Sequence, residues 1–332
     1  MTDVVYVEDE VRDHPRTRQI LDRLPHADVV ACGRWGEVFN RRNQDFRLQK
    51  RRPALILAAK HGEWVLPTPV SYGIGGRRNV YFSHMLNCPY DCRYCFLQGM
   101  FRSAHHVVFV NIDDLFAAID ATLAEHADDE VYFFSGYDCD SLAFDRVTGF
   151  LDTALPFFRD RPRAWLEIRT KSTQTRALLD SEPFANAVVA YSFTPDATAR
   201  ALEHRVPSVA RRIDALATLA KHGWAVGMRF DPLIYTDDYA TRYRELFEAV
   251  FASVPDDRVH SVSLGPFRLP TGFARTVEKL YPDEPLFAGP LEKRGDMVSY
   301  RRDLEEEMVT TVTAMLGEYA DPSRFFPCEL DD

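Results

Sequence analysis

The chain has 332 residues, a formal net charge of −10, 46% hydrophobic residues and six cysteines. That apolar fraction excludes a disordered chain, and the length excludes a small scaffold stapled by disulfides. With no apolar run of about 18 residues and an acidic start, MTDVVYVEDEVRDHP, that lacks a basic-then-apolar leader, a cytoplasmic protein without a membrane span is expected, whose cysteines read first as ligands or catalysts.

In chain order, residues 1–75 read as an irregular leading segment, punctuated by Pro53, Pro67, Pro69, Gly73, Gly75 and Gly76. Within it, residues 41–52 hold six basic side chains (Arg41, Arg42, Arg47, Lys50, Arg51 and Arg52) against one acid, Asp45. Such a cluster suits phosphate contact or a plain solvated face. In a chain this acidic, any DNA contact has to be local. From 76 to 265, short apolar runs alternate with helical patterns. The runs are 80–84, 131–135, 165–169, 188–193, 225–230 and 259–264, and the helical patterns are 112–126, 144–158, 207–222 and 239–251. Pro207 suits a first helical turn and Gly223 the residue after a last one. Six strand-then-helix units predict a parallel sheet covered by helices, either doubly wound or an incomplete barrel, with functional groups at the strands' carboxyl ends. The tail, 266–332, reads as two helices and a turn at Gly295 and Asp296, a C-terminal extension packed on the 76–265 core.

The strongest local signal is CPYDCRYC, which places Cys88, Cys92 and Cys95 within eight residues, just after the first strand. Thiolates bind soft metals and iron–sulfur clusters. Three ligands would leave one iron of a 4Fe–4S cluster open to a non-protein ligand. Structural zinc wants four protein ligands; His84 can complete such a set, so zinc and unliganded thiols stay open. Cys32, Cys139 and Cys328 are scattered. The adjacent pair His105–His106 points to opposite faces of a strand, so a shared metal is not expected there.

The three-then-two cysteine spacing after the first strand resembles that of radical S-adenosylmethionine enzymes. The surrounding residues are similar to one family among them, the spore photoproduct lyases. CPYDCRYCFLQGMF is followed by an apolar strand and NIDDLF. Further on come FSGYDCDSLAFDRVT, IRTKSTQTRALLD, AYSFTPDATARALEHRVPSVARRIDAL, GWAVGMRFDPLIY and, more weakly, EKRGDMVSYRRDLEEE. The resemblance runs from about residue 50 to about residue 320.

The resemblance implies a partial (β/α)6 barrel in which Cys88, Cys92 and Cys95 hold a 4Fe–4S cluster. The fourth iron would bind S-adenosylmethionine, and one electron from a flavodoxin- or ferredoxin-type donor would yield a 5′-deoxyadenosyl radical. That radical would take a hydrogen atom from a thymine lesion in DNA, leading to carbon–carbon cleavage. By position, Lys171 and Ser192 match cofactor-contacting residues, Ser135 and Gly136 match a backbone segment beside the methionine amino group, and Tyr94 matches an aromatic near the adenine. Lysine can neutralise a carboxylate, and glycine permits close approach. Two positions depart from the repair enzymes. Their hydrogen-donating cysteine aligns with Tyr137, with Cys139 two residues on and on the same face of an extended segment. Their tyrosine after the third cluster cysteine is Phe96, which has no O–H. Cys139 and Tyr137 are thus the candidate hydrogen donors, although a free buried cysteine is often structural. A basic turn at Lys293 and Arg294, near Tyr300, Arg301 and Arg302, suits phosphate. The departures leave open a different substrate (nucleotide, peptide or metabolite) for the same machinery. A noncatalytic zinc- or cluster-bearing nucleic-acid-binding protein is the reading from another class.

Overall fold

The computed structural model describes residues 2–69 and 72–328. Its main sheet contains six consecutive parallel strands: β1 (Arg78–Phe82), β2 (Val131–Phe134), β3 (Ala164–Thr170), β4 (Ala187–Ser192), β5 (Ala225–Leu233) and β6 (Val259–Pro266). They pair in chain order. These are the six runs expected from the sequence. β2 and β4 are buried along their whole length, as strands covered on both faces must be. Val65–Pro67 extends the sheet antiparallel beside β1, and Phe325–Pro327 extends it parallel beside β6. The two outer strands do not pair with each other, so the eight-stranded sheet is an open partial barrel. The incomplete barrel, rather than the doubly wound sheet, is the architecture adopted.

The expected helices form with local adjustments. Ile112–Glu125 and Tyr239–Phe251 lie where the apolar periodicity put them. The third begins at Val209, because the Ser208 side chain accepts from the Arg211 N–H; Pro207 precedes the cap rather than opening the first turn. Gly223 ends it with a φ of 114°. The 144–158 pattern is two helices, Asp145–Thr148 and Phe150–Arg159. They break at Gly149, where Asp145 Oδ1 accepts from the Leu151 N–H at 2.9 Å.

The leading segment corrects the expectation of irregularity. Val4–Glu8, Asp28–Cys32 and Leu55–Ala58 are parallel strands of a second, five-stranded sheet. That sheet is completed by His106–Phe109 and Met85–Leu86 from beyond residue 75. It has its own apolar core, which includes Val5, Leu55, Leu57, Val108 and Cys139. Arg16 reaches from the leading segment to the Thr148 carbonyl at 3.0 Å and locks this sheet to the barrel helices. In the tail, Thr271–Leu280 and Arg302–Leu316 are helices. Between them, Leu291–Arg294 and Met297–Tyr300 form a hairpin that turns through Gly295 at a φ of 54°. Among the described residues no helix is long and apolar enough to cross a membrane.

Candidate active site

A cavity of about 260 Å³ opens at the carboxyl ends of the barrel strands. One wall is the loop after β1. Cys88, Cys92 and Cys95 line it, together with Tyr90, Tyr94 and Phe96. The loop is pinned from behind. The Lys50 ammonium donates to the Cys88 carbonyl at 3.2 Å and the Tyr90 carbonyl at 2.9 Å. Asp91–Cys92 also pairs as a short ladder with Glu203–His204. Burial pushes all three thiols above the ordinary range, Cys92 to about 12. A bound cation reverses that tendency by deprotonating its sulfur ligands. Three soft donors on one short loop fit a cluster that presents a separate iron to each. Among the described residues no three side chains converge as they would around a single metal ion. His84, the alternative fourth ligand, stacks on Phe150 at 4.0 Å and approaches Cys139 instead.

The second wall follows β3 and β4. Lys171, directly after β3, lines the cavity, with its Nζ 5.5 Å from the centre of the Tyr94 ring and 4.0 Å from Glu203 Oε1. Glu203 is fully buried at its side chain and paired with Arg212 at 2.6 Å. It also accepts from the Tyr94 hydroxyl and, at 3.0 Å, from Thr194. Burial raises the Glu203 carboxyl, but Lys171 and Arg212, helped by the two hydroxyls, outweigh it and hold the carboxyl below its ordinary range. Tyr94 is therefore tied by its hydroxyl to the anchor of Lys171. Ser192, at the end of β4, also lines the cavity and accepts from Arg169 Nε at 3.4 Å.

The third wall follows β2. Gly136, Tyr137, Cys139 and Asp140 line it. Ser135 does not. Its hydroxyl is turned into the sheet, donating to the Glu167 carbonyl at 2.8 Å and meeting Ser141 Oγ at 2.8 Å. Gly136 lines the cavity, but a Cβ there would come within 2.8 Å of the Arg169 carbonyl oxygen. Glycine is thus required by packing against β3. Asp140 fastens this loop: it accepts from Thr170 Oγ1 and from the Lys171 N–H, each at 2.7 Å. Tyr137 stacks on Tyr81 with ring centres 4.2 Å apart and lies 5.5 Å from Phe96. Cys139 faces the cavity, its S–H directed to the Ser135 carbonyl at 3.6 Å and its Sγ 4.0 Å from His84. Burial holds its thiol well above the ordinary range, so it keeps its hydrogen.

The floor holds residues that the sequence did not single out. Arg169 pairs with Asp231, whose other oxygen accepts from Ser263 at 3.0 Å and from Cys328 at 3.7 Å. Cys328 thus joins the cavity from the edge strand. Cys32 lies apart, on an outer strand of the second sheet. His106 is buried with neither ring nitrogen hydrogen-bonded, and His105 accepts from the Ala54 N–H at 3.0 Å. The two rings serve different packing environments. Lys293, Arg294, Arg301 and Arg302 lie around the hairpin and the start of the last helix. Arg294 pairs with Glu305 at 2.6 Å, which removes it from the phosphate contact expected of that turn.

Comparison with known proteins gives one consistent neighbourhood. The profile of the spore photoproduct lyase family matches residues 83–300, well over half of the chain. A spore photoproduct lyase of Bacillus subtilis (strain 168) is 26% identical over 198 residues, covering 59% of this chain and 58% of that protein. One of Clostridium acetobutylicum is 20% identical over 200 residues, 60% of this chain and 59% of that protein. The matched region thus spans somewhat over half the length of these curated relatives. A crystallised mutant spore photoproduct lyase with bound AdoMet and dinucleoside spore photoproduct superposes with a TM-score of 0.86 at 18% identity, covering 100% of this chain and 99% of that one. Another, complexed with dinucleoside spore photoproduct, gives 0.84 at 18% identity and the same coverage. At this identity the likeness speaks for the fold.

Proposed function

The chain belongs to the spore photoproduct lyase family, and from that premise we propose that it is a radical S-adenosylmethionine enzyme that cleaves a carbon–carbon bond in a thymine lesion of DNA. The observation that carries this reading is the composition of one cavity. Three cysteines of one loop, a lysine at a strand end and a fourth, protonated thiol all line it. When bound, a 4Fe–4S cluster and S-adenosylmethionine supply one electron and a carbon radical able to take a hydrogen atom from substrate. Cys88, Cys92 and Cys95 would hold the cluster. Lys171, oriented by Glu203, would meet the cofactor carboxylate; a charge-assisted contact of this kind is strong in a partly buried site. Ser192 and Gly136 would bound the cofactor, and Tyr94 would close its side. Ser135 would act only by setting the backbone of its loop.

Hydrogen return to the product falls to Cys139. Transfer of a hydrogen atom needs S–H rather than thiolate, and burial maintains the S–H form. Tyr137, stacked on Tyr81 and tilted against Phe96, is the neighbouring O–H. Phe96 itself cannot relay hydrogen, and this supports a second reading in which the same machinery meets a different substrate. The deciding experiment is anaerobic reconstitution with iron and sulfide, reduction by dithionite, and addition of S-adenosylmethionine with and without dinucleoside spore photoproduct. Deoxyadenosine together with repaired dithymidine supports the lyase. Deoxyadenosine without repair supports the second reading.

A further inference from the structure

The basic cluster at residues 41–52 resolves into three parts. Arg52 pairs with Asp3 at 2.7 Å, and Lys50 runs inward to the cysteine loop. Arg41, Arg42, Arg47 and Arg51 remain exposed, and none has an acidic partner within ion-pair distance among the described residues. Arg47 and Arg51 sit on the short helix Phe46–Arg51. Between them is Leu48, 61% exposed and one of few large apolar side chains so exposed on this surface.

This helix borders a recess of about 150 Å³ on the outer side of the cysteine loop. Arg47, Lys50, Arg51, Arg93 and Arg205 line it with Asp91. Arg93 is neutralised by Asp91 at 2.6 Å and Glu284 at 3.6 Å, and Lys50 is turned to the loop carbonyls, so Arg47, Arg51 and Arg205 supply the open positive charge. Its floor is aromatic: the Arg93 guanidinium lies 3.8 Å from the centre of the Tyr281 ring. Arg205 donates to the Lys50 carbonyl at 2.6 Å and ties the rim together. The loop itself separates recess from cavity by a single thickness of chain. Tyr90, Cys92 and Tyr94 face the cavity, while Asp91 and Arg93 face the recess. That alternation is the two-residue period of extended backbone.

We propose that this recess and the helix beside it dock an acidic one-electron carrier protein, and that the electron reaches the cluster across the cysteine loop. The inference rests on the radical reading above. Cofactor and substrate fill the cavity side of the loop, so the outer side is the short remaining path. An exposed apolar anchor ringed by arginines is the composition of a protein–protein interface. A local positive field on an acidic chain selects a negatively charged partner and speeds its encounter. The phosphates of DNA share that charge, but the lesion must reach the cavity, which lies on the other face of the loop.

The test uses the reconstituted full chain and a reduced bacterial flavodoxin as probe. The variants are Arg47→Glu/Arg51→Glu and, separately, Leu48→Ser, none of which touches the cavity. Flavodoxin affinity, read by anisotropy of a labelled flavodoxin at low salt, is expected to fall about tenfold or more in the double variant, in the range for reversing charges at a complementary interface. The EPR signal of the cluster reduced by flavodoxin should grow correspondingly more slowly. Dithionite should still reduce the cluster and support deoxyadenosine formation as in the unaltered protein. Unchanged flavodoxin affinity overturns the proposal. An equal loss of affinity for flavodoxin and for a labelled DNA duplex overturns it too, because the face would then be a general polyanion site. Failure of the unaltered protein to make deoxyadenosine with dithionite would reject the radical reading itself, and this proposal with it.

Discussion

The cysteine-loop wall and the wall after β2 face each other across one cavity but are built differently. The first is tied down by charge. Lys50 holds the loop from behind, and Glu203 gathers Tyr94, Lys171, Thr194 and Arg212 at its side. The second is held by neutral donors to Asp140 and by packing: Thr170 and three backbone N–H groups bond to Asp140, Tyr137 lies among aromatic rings, and Cys139 sits between the cavity and the apolar core of the second sheet. The first carries the three cysteines and Tyr94 that the family resemblance asks for, and one departure, Phe96. The second carries the other departure, Tyr137 in place of the donor cysteine with Cys139 two residues on, and the Tyr137 ring lies 5.5 Å from Phe96. On the proposed reading the cluster rests on the first wall and hydrogen return on Cys139 of the second, so the donor side can change while the cluster side is kept.

Loss of function should be most complete at the cysteine loop and at Lys171 beside it. Cys92→Ala is expected to abolish the iron–sulfur absorbance after reconstitution and all deoxyadenosine formation, while urea unfolding of the apoprotein still shows a folded chain. Lys171→Ala should keep the cluster but raise the KM for S-adenosylmethionine by about 10- to 100-fold, the cost of truncating one partner of a partly buried charged contact; steady-state deoxyadenosine production reads this. At the second wall, Cys139→Ala should leave deoxyadenosine formation within about twofold, because it removes no charged or cofactor contact, while products shift from repaired dithymidine to adducts of an unquenched radical. Unchanged product partition would make Cys139 structural.

A weaker effect, a pH dependence of stability, is expected at His84 behind the second wall. Burial lowers His84 to about 3, against an ordinary histidine near 6.5. The unfolded chain therefore takes up a proton on acidification that the folded chain refuses. Stability contributed by neutral His84 is present above about pH 6.5 and is lost as pH falls toward 3, by up to about 1.4 kcal/mol per pH unit. Asp145, raised by burial to about 6, acts in the opposite sense between about pH 6 and its ordinary value near 4. Comparing urea unfolding of the parent and His84→Leu at pH 7, 6 and 5 isolates the histidine, and the variant should show the flatter profile.

Much of the barrel was legible because each strand is a short apolar run bounded by a strong helical pattern, and Cys88, Cys92 and Cys95 announce themselves by spacing. The second sheet was not legible. Asp28–Cys32 is exposed along most of its length, and Leu55–Ala58 finds its partner His106–Phe109 only across the whole cysteine loop. Glu203 and Arg212 lie within a segment that carried the resemblance, yet nothing local marks a carboxylate at a helix end as the anchor of Lys171. Cys328 gave no signal at all, since its place in the cavity depends on a three-residue edge strand closing beside β6. Gly136 was legible as a glycine for close approach, and one such approach is to the Arg169 carbonyl.

The lyase activity proposed for the three-cysteine wall is tested by incubating the reconstituted, dithionite-reduced protein with S-adenosylmethionine and dinucleoside spore photoproduct and quantifying both products by chromatography. Deoxyadenosine and repaired dithymidine are expected, both absent in Cys92→Ala. One bound zinc, no iron and no deoxyadenosine under any condition would contradict it.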